Sequence, residues 1–155
     1  DLESLAGLIR PAGFHRQKSL RVQGLARWWL EMGGEPGLSN LDTDQLRAAF
    51  LGLHGVGRET ADAIVLYGFH RPVFVVDAYL RRVLKRLGIA DHQTEDSTLA
   101  AWMLEACAHQ VRRSQSAHAW VEKHAQDYCR RKPACGECPL HAQCDYFGSA
   151  NLASR

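Results

Sequence analysis

Hydrophobic positions recur every three or four residues along most of the chain, which is the spacing of one face of an α-helix. The first such stretch carries apolar side chains at Val22, Leu25, Trp29 and Met32. Glycines and a proline at residues 33–37 predict the end of that helix. A later stretch repeats the spacing at Leu80, Val83, Leu84 and Leu87, with Gly88 as its predicted stop. Two further helices are predicted at about residues 94–110 and 116–128.

Two aspartates stand where helices are expected to begin. Asp42 is followed three residues later by Gln45, the pattern of a capping box, which predicts a short helix that ends at about Leu51. Asp77 directly precedes the second apolar-faced helix and is predicted to cap it. Between them, residues 58–69 have helical character.

The apolar run at residues 72–76 is the stretch with the strongest strand character. No partner strand or hairpin signal occurs elsewhere in the sequence, so we expect a buried extended connection. The predicted fold class is therefore all-α.

Composition limits the class of protein. A chain of 155 residues with 46% hydrophobic residues can bury one core, in one or two small lobes. Its apolar runs are far shorter than the roughly 20 residues of a membrane helix, so no membrane contact is predicted. The first residues lack the basic and apolar regions of a secretion signal, which favours a cytoplasmic location.

Charge is informative through its distribution. The net charge of +2 does not by itself indicate a nucleic-acid partner. Basic residues nevertheless cluster at Arg81, Arg82, Lys85 and Arg86, at residues 112–113 and at residues 130–132. These clusters are either binding surfaces or ordinary solvated helix faces.

A glycine turn separates two of the predicted helices. Its six residues are Leu53, His54, Gly55, Val56, Gly57 and Arg58. Backbone amides in such a turn, next to a helix start, can hold a phosphate without contacting its base. The turn has neither the Gly-Lys-Ser/Thr of a P-loop nor the third glycine of a dinucleotide fold. The alternative is a helical hairpin without a ligand.

Four cysteines lie close together near the end of the chain, at Cys129, Cys135, Cys138 and Cys144. Disulfides are disfavoured in a cytosolic protein, whereas four thiolates on short loops suit a metal site. Their spacing leaves zinc and an iron-sulfur cluster equally open. The fifth cysteine, Cys107, lies among apolar residues and is expected to be a small core residue.

The segment Leu53-His54-Gly55-Val56-Gly57-Arg58-Glu59-Thr60-Ala61-Asp62, followed by Val75-Val76-Asp77, resembles the helix-hairpin-helix and aspartate signature of the endonuclease III superfamily of DNA glycosylases. The resemblance implies two helical lobes and a hairpin, Leu53 to Arg58, that binds the DNA backbone. It also implies that Asp77 lies at the mouth of a pocket for a flipped nucleotide. A carboxylate suits that place, because breaking an N-glycosidic bond builds positive charge on the sugar.

The cysteine segment, residues 128–146, resembles the iron-sulfur loop of the same superfamily, which implies a 4Fe-4S cluster on the four cysteines. The first interval is one residue shorter than the common C-x6-C-x2-C-x5-C form, and zinc remains the alternative. The resemblance also implies that Arg130, Arg131 and Lys132 contact DNA phosphates. A basic surface loop is the other interpretation of these three residues.

The resemblance implies a division of the chain. Residues 1–76 would be part of a helical-barrel lobe with the hairpin at about 46–69, residues 77–128 a second lobe, and residues 129–144 the cluster loop. Family members have further helices before the region that this sequence covers, so the sequence is expected to be either a fragment or a chain that lacks those helices.

Glu59 stands where bifunctional members of the superfamily carry a lysine. A carboxylate cannot form the imine through which that lysine cleaves the strand, so a monofunctional enzyme is predicted. Asp77 and Glu59 are the predicted catalytic carboxylates, although Glu59 could act only at its helix start. The residues around both positions resemble most closely the branch that contains 3-methyladenine DNA glycosylases.

The leading hypothesis is a monomeric glycosylase that removes a damaged base, with alkylated bases as candidates, from double-stranded DNA. One alternative is an oxidised-pyrimidine glycosylase with strand-cleaving (AP-lyase) activity, as in endonuclease III. The other is a catalytically weak DNA-binding protein that retains the hairpin and the cluster.

Overall fold

The computed structural model describes residues 1–152, with side chains as far as Ser149. Within this range all regular structure is helical, as predicted, and no strand is present. The chain divides into two compact units, Asp1–Ala61 and the part from Asp62 onward. No helix of the described chain has the length and apolar character that a membrane span requires.

The first unit contains α1 (Leu2–Leu8), α2 (His15–Glu31), α3 (Gly34–Ser39) and α4 (Thr43–Leu51), and α5 (Arg58–Ala63) begins in it. Helix α1 packs along α2. The predicted capping box is confirmed: the backbone N–H of Gln45 donates to Asp42 Oδ1 at 2.8 Å, and the backbone N–H of Asp42 donates to Gln45 Oε1 at 3.1 Å. Phe50 of α4 is buried against the Trp28 ring, with 5.1 Å between ring centroids.

The second unit contains α6 (Ala78–Arg86), α7 (Asp96–Ala106), α8 (Val111–Asp127) and α9 (Asp145–Leu152). The helix that begins as α5 continues as a π-helical turn at Ile64–Gly68, in which the backbone N–H of Phe69 donates to the carbonyl of Ile64. Residues 72–76 are extended, and Phe74 and Val75 are buried, which confirms the predicted connection. The core of the unit consists of Phe74, Leu80, Leu84, Leu99 and Cys107, and α6 packs against α8.

The predicted stop of the first helix is confirmed, since α2 ends at Glu31, before the glycines at residues 33 and 34. These glycines adopt left-handed conformations, with φ of 79° and 67°, and begin a short helix, α3, that was not predicted. Two other predicted helix boundaries are wrong. Helix α7 ends at Ala106 because Ala108 and His109 also have positive φ. Helix α8 begins at Val111, five residues before the predicted start at 116, and its early Ser114 is fully buried. Because the side chains near both ends of that helix are polar, the apolar pattern in the sequence did not show where the helix begins.

Candidate functional site

The glycine turn lies between α4 and α5, in the first unit. The backbone N–H of Val56 donates to the carbonyl of Leu53 at 3.1 Å and closes the turn. Gly55 has a φ of 84°, a left-handed conformation that favours glycine. A Cβ on Gly55 would also lie 2.7 Å from Nε of Arg21, which reaches across the turn from α2.

Gly57 differs from Gly55 in both respects. Its φ is not left-handed, and a Cβ there would meet no atom within 4 Å. The turn therefore needs Gly55 for its conformation, whereas at Gly57 the backbone is open to solvent. His54, Arg58 and Glu59 are also exposed, and Glu59 lies in the first turn of α5.

Asp77 lies in the second unit at the start of α6, and its residue surface is 9% exposed. Its Oδ1 accepts a hydrogen bond of 2.7 Å from the backbone N–H of Leu80, so the predicted helix cap is confirmed. Its Oδ2 lies 3.7 Å from Nε2 of His118 on α8. The two carboxylate oxygens therefore have different surroundings.

His118 joins Asp77 to Tyr67 of the π-helical turn. The Tyr67 hydroxyl lies 2.8 Å from Nδ1 of His118 and 3.3 Å from the carbonyl of Gln115. Partial burial raises the pKa of the Tyr67 hydroxyl, and the negative charges of Glu122 and Asp77 raise this pKa further. No pattern in the sequence indicates Tyr67 or His118. They are 51 residues apart, and neither belongs to a local motif.

The four clustered cysteines line a common cavity in the second unit. None of the four forms a disulfide. Burial raises the pKa of the Cys135 thiol, as do the neighbouring Cys144 and Cys138, whereas the positive charge of Arg86 lowers it. Four thiols lining one cavity match an iron-sulfur cluster in the number and type of donor groups. Within the described residues, however, their positions do not already form a ligand set for a metal ion, nor do those of any other group of three or more His, Cys, Asp or Glu residues.

Two arginines of α6 hold the cysteine loop. Nε of Arg82 donates to the carbonyl of Cys129 at 2.7 Å. Nη1 of Arg86 donates to Sγ of Cys129 at 3.3 Å and to the carbonyl of Arg130 at 2.7 Å, and Nη2 donates to the carbonyl of Arg131 at 3.3 Å. The helix that Asp77 caps is thus bonded directly to the loop that carries the first cysteine.

Not all of the basic residues of α6 form a solvated face. Arg81 forms an ion pair with Asp96, and Arg82 and Arg86 contact the loop. The side chains of Arg130, Arg131 and Lys132, in contrast, are exposed. The predicted DNA-contacting residues of the loop are therefore accessible, whereas Arg81, Arg82 and Arg86 of α6 are bonded to groups within the unit.

The helical fold, with a glycine turn between two helices and a buried carboxylate at a later helix start, is that of a helix-hairpin-helix DNA glycosylase. Residues 1–108 match the family model described as "HhH-GPD superfamily base excision DNA repair protein". The chain belongs to this superfamily.

Relatives and solved structures agree with this assignment. The chain is 35% identical, over 93% of its length, to a protein of Methanocaldococcus jannaschii that carries the provisional name DNA repair glycosylase, and 32% identical, over 92% of its length, to endonuclease III of Bacillus subtilis. A non-covalent endonuclease III–DNA complex superposes on 98% of the chain, with a TM-score of 0.78 and 26% sequence identity. The chain spans 67% and 62% of the two relatives and 68% of the protein in that complex.

Proposed function

We propose that this chain carries the catalytic region of a DNA glycosylase that hydrolyses the N-glycosidic bond of a damaged base in double-stranded DNA. The observation that carries the proposal is Asp77, a carboxylate that is nine-tenths buried at the start of α6. Membership of the superfamily and the likeness to endonuclease III support it. We further propose that the protein acts as a monomer.

Asp77 supplies negative charge where the sugar becomes positive. Hydrolysis of the glycosidic bond passes through a cationic sugar. A nearby carboxylate either stabilises this cation or activates the attacking water. Oδ1 already accepts the Leu80 N–H, so Oδ2 is the oxygen available to the sugar. A base must leave the helical stack to reach such a site, and a damaged base leaves at the lowest cost.

The DNA backbone is proposed to bind at two places, one in each unit. The turn from Leu53 to Arg58 offers backbone amides and the open Gly57 to a phosphate. The exposed Arg130, Arg131 and Lys132 offer positive charge to phosphates from the cysteine loop. Neither surface needs to read sequence, which suits an enzyme that scans for damage.

Glu59 separates the proposed reaction from that of a lyase. A glutamate at this position supplies no amine, so the product should be an intact abasic strand that breaks only on heating with alkali. Its carboxylate would favour a positively charged alkylated purine, such as 3-methyladenine, over a neutral base. The likeness to endonuclease III instead favours the second candidate, an oxidised-pyrimidine glycosylase with lyase activity.

The decisive experiment is base release from a panel of duplexes. The panel contains DNA treated with dimethyl sulfate, DNA with thymine glycol, and undamaged DNA, with Glu59→Gln as a matched variant. We expect release of 3-methyladenine, slower release by Glu59→Gln, and no covalent adduct after borohydride. Release of thymine glycol with a trapped adduct would establish the second candidate. Binding without any release would identify a DNA-binding protein.

We also propose that Cys129, Cys135, Cys138 and Cys144 hold a 4Fe-4S cluster. Their convergence on one cavity and the N–H of Arg86 directed at Cys129 Sγ support it. The cluster would act as a structural cross-link of the loop. Protein purified without oxygen should be brown and contain about four iron and four sulfide ions per chain. Colourless protein with one zinc ion would establish the alternative.

A further inference from the structure

A chain of polar groups links Asp77 to His118 and Tyr67. The last two residues lie outside the motifs of this sequence. His118 lies between the other two, with its side chain 13% exposed. Its Nε2 atom is buried and has no hydrogen-bond partner within the described part of the chain. That atom instead faces Oδ2 of Asp77 at 3.7 Å. A buried polar atom without a partner requires an explanation, because leaving it unbonded costs free energy.

We propose that His118 and Tyr67 are positioning residues for Asp77. The Tyr67 hydroxyl donates to Nδ1 of His118, the ring proton therefore lies on Nε2, and this N–H directs Oδ2 of Asp77 toward the sugar. The proposal rests on the glycosylase function proposed above, and it assigns to that function two residues from outside the hairpin and the cysteine loop.

Proton placement decides what His118 does to the carboxylate. With the proton on Nε2, the ring presents a donor to Oδ2 and leaves the negative charge of Asp77 in place. With the proton on Nδ1, the lone pair of Nε2 would face Oδ2 and repel it. A hydroxyl that donates to Nδ1 therefore selects the useful form of the ring.

The surroundings of Tyr67 favour a donating hydroxyl. Partial burial, and then the negative charges of Glu122 and Asp77, oppose ionisation of the hydroxyl and raise its pKa. The distance to Nδ1 of His118, 2.8 Å, is shorter than the 3.3 Å to the carbonyl of Gln115. Nε2 of Gln115 donates to the carbonyl of Leu66 at 2.9 Å, which fastens the π-helical turn to α8 and holds Tyr67 in place.

Nε2 of His118 and Oδ2 of Asp77 lie just beyond hydrogen-bond distance of each other. At 3.7 Å the contact is longer than a hydrogen bond, and a shift of roughly 0.7 Å would complete one. Hydrogen bonds in active sites are often long in the free enzyme and shorten when substrate binds. Oδ1 of Asp77 is restrained by its hydrogen bond from the Leu80 N–H, so such a shift would mainly move Oδ2 relative to His118.

Two substitutions at His118 distinguish the roles of its two ring nitrogens. The amide of His118→Gln places an N–H near the position of Nε2, whereas that of His118→Asn reaches only the position of Nδ1. On duplex DNA treated with dimethyl sulfate, we expect single-turnover base release by the Gln variant within about threefold of the parent. The Asn variant should lose roughly tenfold to a hundredfold in rate. Both variants should bind DNA with unchanged affinity, and parent-like release by His118→Asn would overturn the proposal.

Tyr67→Phe tests whether the tyrosine acts through His118. This variant should reduce base release severalfold in the parent, and should have no further effect in the His118→Asn background. Effects on the rate that multiply in the double variant would mean that Tyr67 acts independently of His118. That result would overturn the proposed link from Tyr67 through His118 to Asp77.

The position of the proton on the His118 ring can be measured independently of enzymatic activity. In ¹⁵N-labelled protein, the ring nitrogen shifts of His118, assigned by their loss in His118→Asn, should show protonation at Nε2, and Tyr67→Phe should move the Nδ1 signal. Protonation at Nδ1 alone would overturn the proposal. A parent that releases no base but shows Nε2–H would overturn the proposed glycosylase function and support the polar chain.

Discussion

At the scale of single residues, Asp77 divides two tasks between its oxygens. Oδ1 caps α6 through the Leu80 N–H, and Oδ2 faces His118. The cap also places the carboxylate at the amino-terminal end of α6. The same side chain thus starts a helix and supplies the charge that the proposed reaction requires.

Two substitutions separate these tasks. Asparagine is also a good helix cap, so Asp77→Asn should leave the free energy of unfolding within about 0.5 kcal/mol of the parent. It removes the charge, and base release should fall by roughly 10² to 10⁴. Asp77→Ala should lose the activity and also about 1 kcal/mol of stability. Urea unfolding and single-turnover release measure the two effects, and an active Asp77→Asn would refute the catalytic assignment.

The sequence predicted the cap of Asp77 because a helix start is a local pattern. It could not predict His118 or Tyr67, because their contact depends on how α8 packs in the second unit. A tyrosine and a histidine at that separation carry no signal that distinguishes them from other polar residues on helices.

At the scale of elements, the two glycines of the hairpin turn should respond differently to alanine. Gly57→Ala has room for its methyl group and no conformational strain, so the fold should be unchanged while DNA affinity falls, because the methyl group obstructs the phosphate. Gly55→Ala meets Arg21 and needs a positive φ, so it should cost about 1–2 kcal/mol in stability. Thermal unfolding and duplex binding measure this difference. Equal affinity for Gly57→Ala and the parent would exclude the proposed phosphate contact.

Helix α6 and the cysteine loop should lose stability together when Arg86 is replaced. Arg86→Ala removes its bonds to the carbonyls of Arg130 and Arg131 and to the Cys129 sulfur, at a cost of about 1–2 kcal/mol. Lys85→Ala, on the exposed face of the same helix, should change the free energy of unfolding by less than about 0.5 kcal/mol. Urea unfolding of the two variants compares them. An equal loss in both would mean that the bonds from Arg86 to the cysteine loop are not responsible.

Local signals predicted the elements themselves better than their ends. The capping box at Asp42 and the apolar face of α6 were sufficient to place two helices. The short helix α3 was not predicted, because the glycines that precede and begin it usually mark the end of a helix. Ala108 and His109, which follow α7, were missed because positive φ is uncommon for residues other than glycine. The π-helical turn was predicted as ordinary helix, since both have the same apolar pattern.

At the scale of the whole molecule, a net charge of +2 conceals where positive charge is available to DNA. Part of it is engaged inside the second unit, where Arg81 pairs with Asp96 and Arg86 bonds to the cysteine loop. The exposed cations at residues 130–132 remain accessible. Composition alone could not have made this distinction, because it follows from which side chains fold inward.

The salt dependence of DNA binding tests that distribution. Replacing Arg130, Arg131 and Lys132 with glutamine should make the slope of log affinity against log salt less steep by roughly 0.9 for each phosphate that these side chains neutralise. Replacing the exposed Arg112 and Arg113 removes similar charges from a surface that is not proposed to bind DNA, and should leave the slope nearly unchanged. Equal changes in both variants would indicate general attraction without a defined binding surface.

The π-helical turn at Ile64–Gly68 also bears on how this chain can change in length. Its hydrogen bond from Phe69 to Ile64 spans five residues, so the turn accommodates one residue more than an α-helical turn. Loss of one codon there would let the backbone relax into an ordinary helix. Because Tyr67 lies within the turn, the same loss would change which of the turn's side chains faces His118. A single-codon change could therefore create or abolish the tyrosine–histidine contact in a lineage whose fold stays intact.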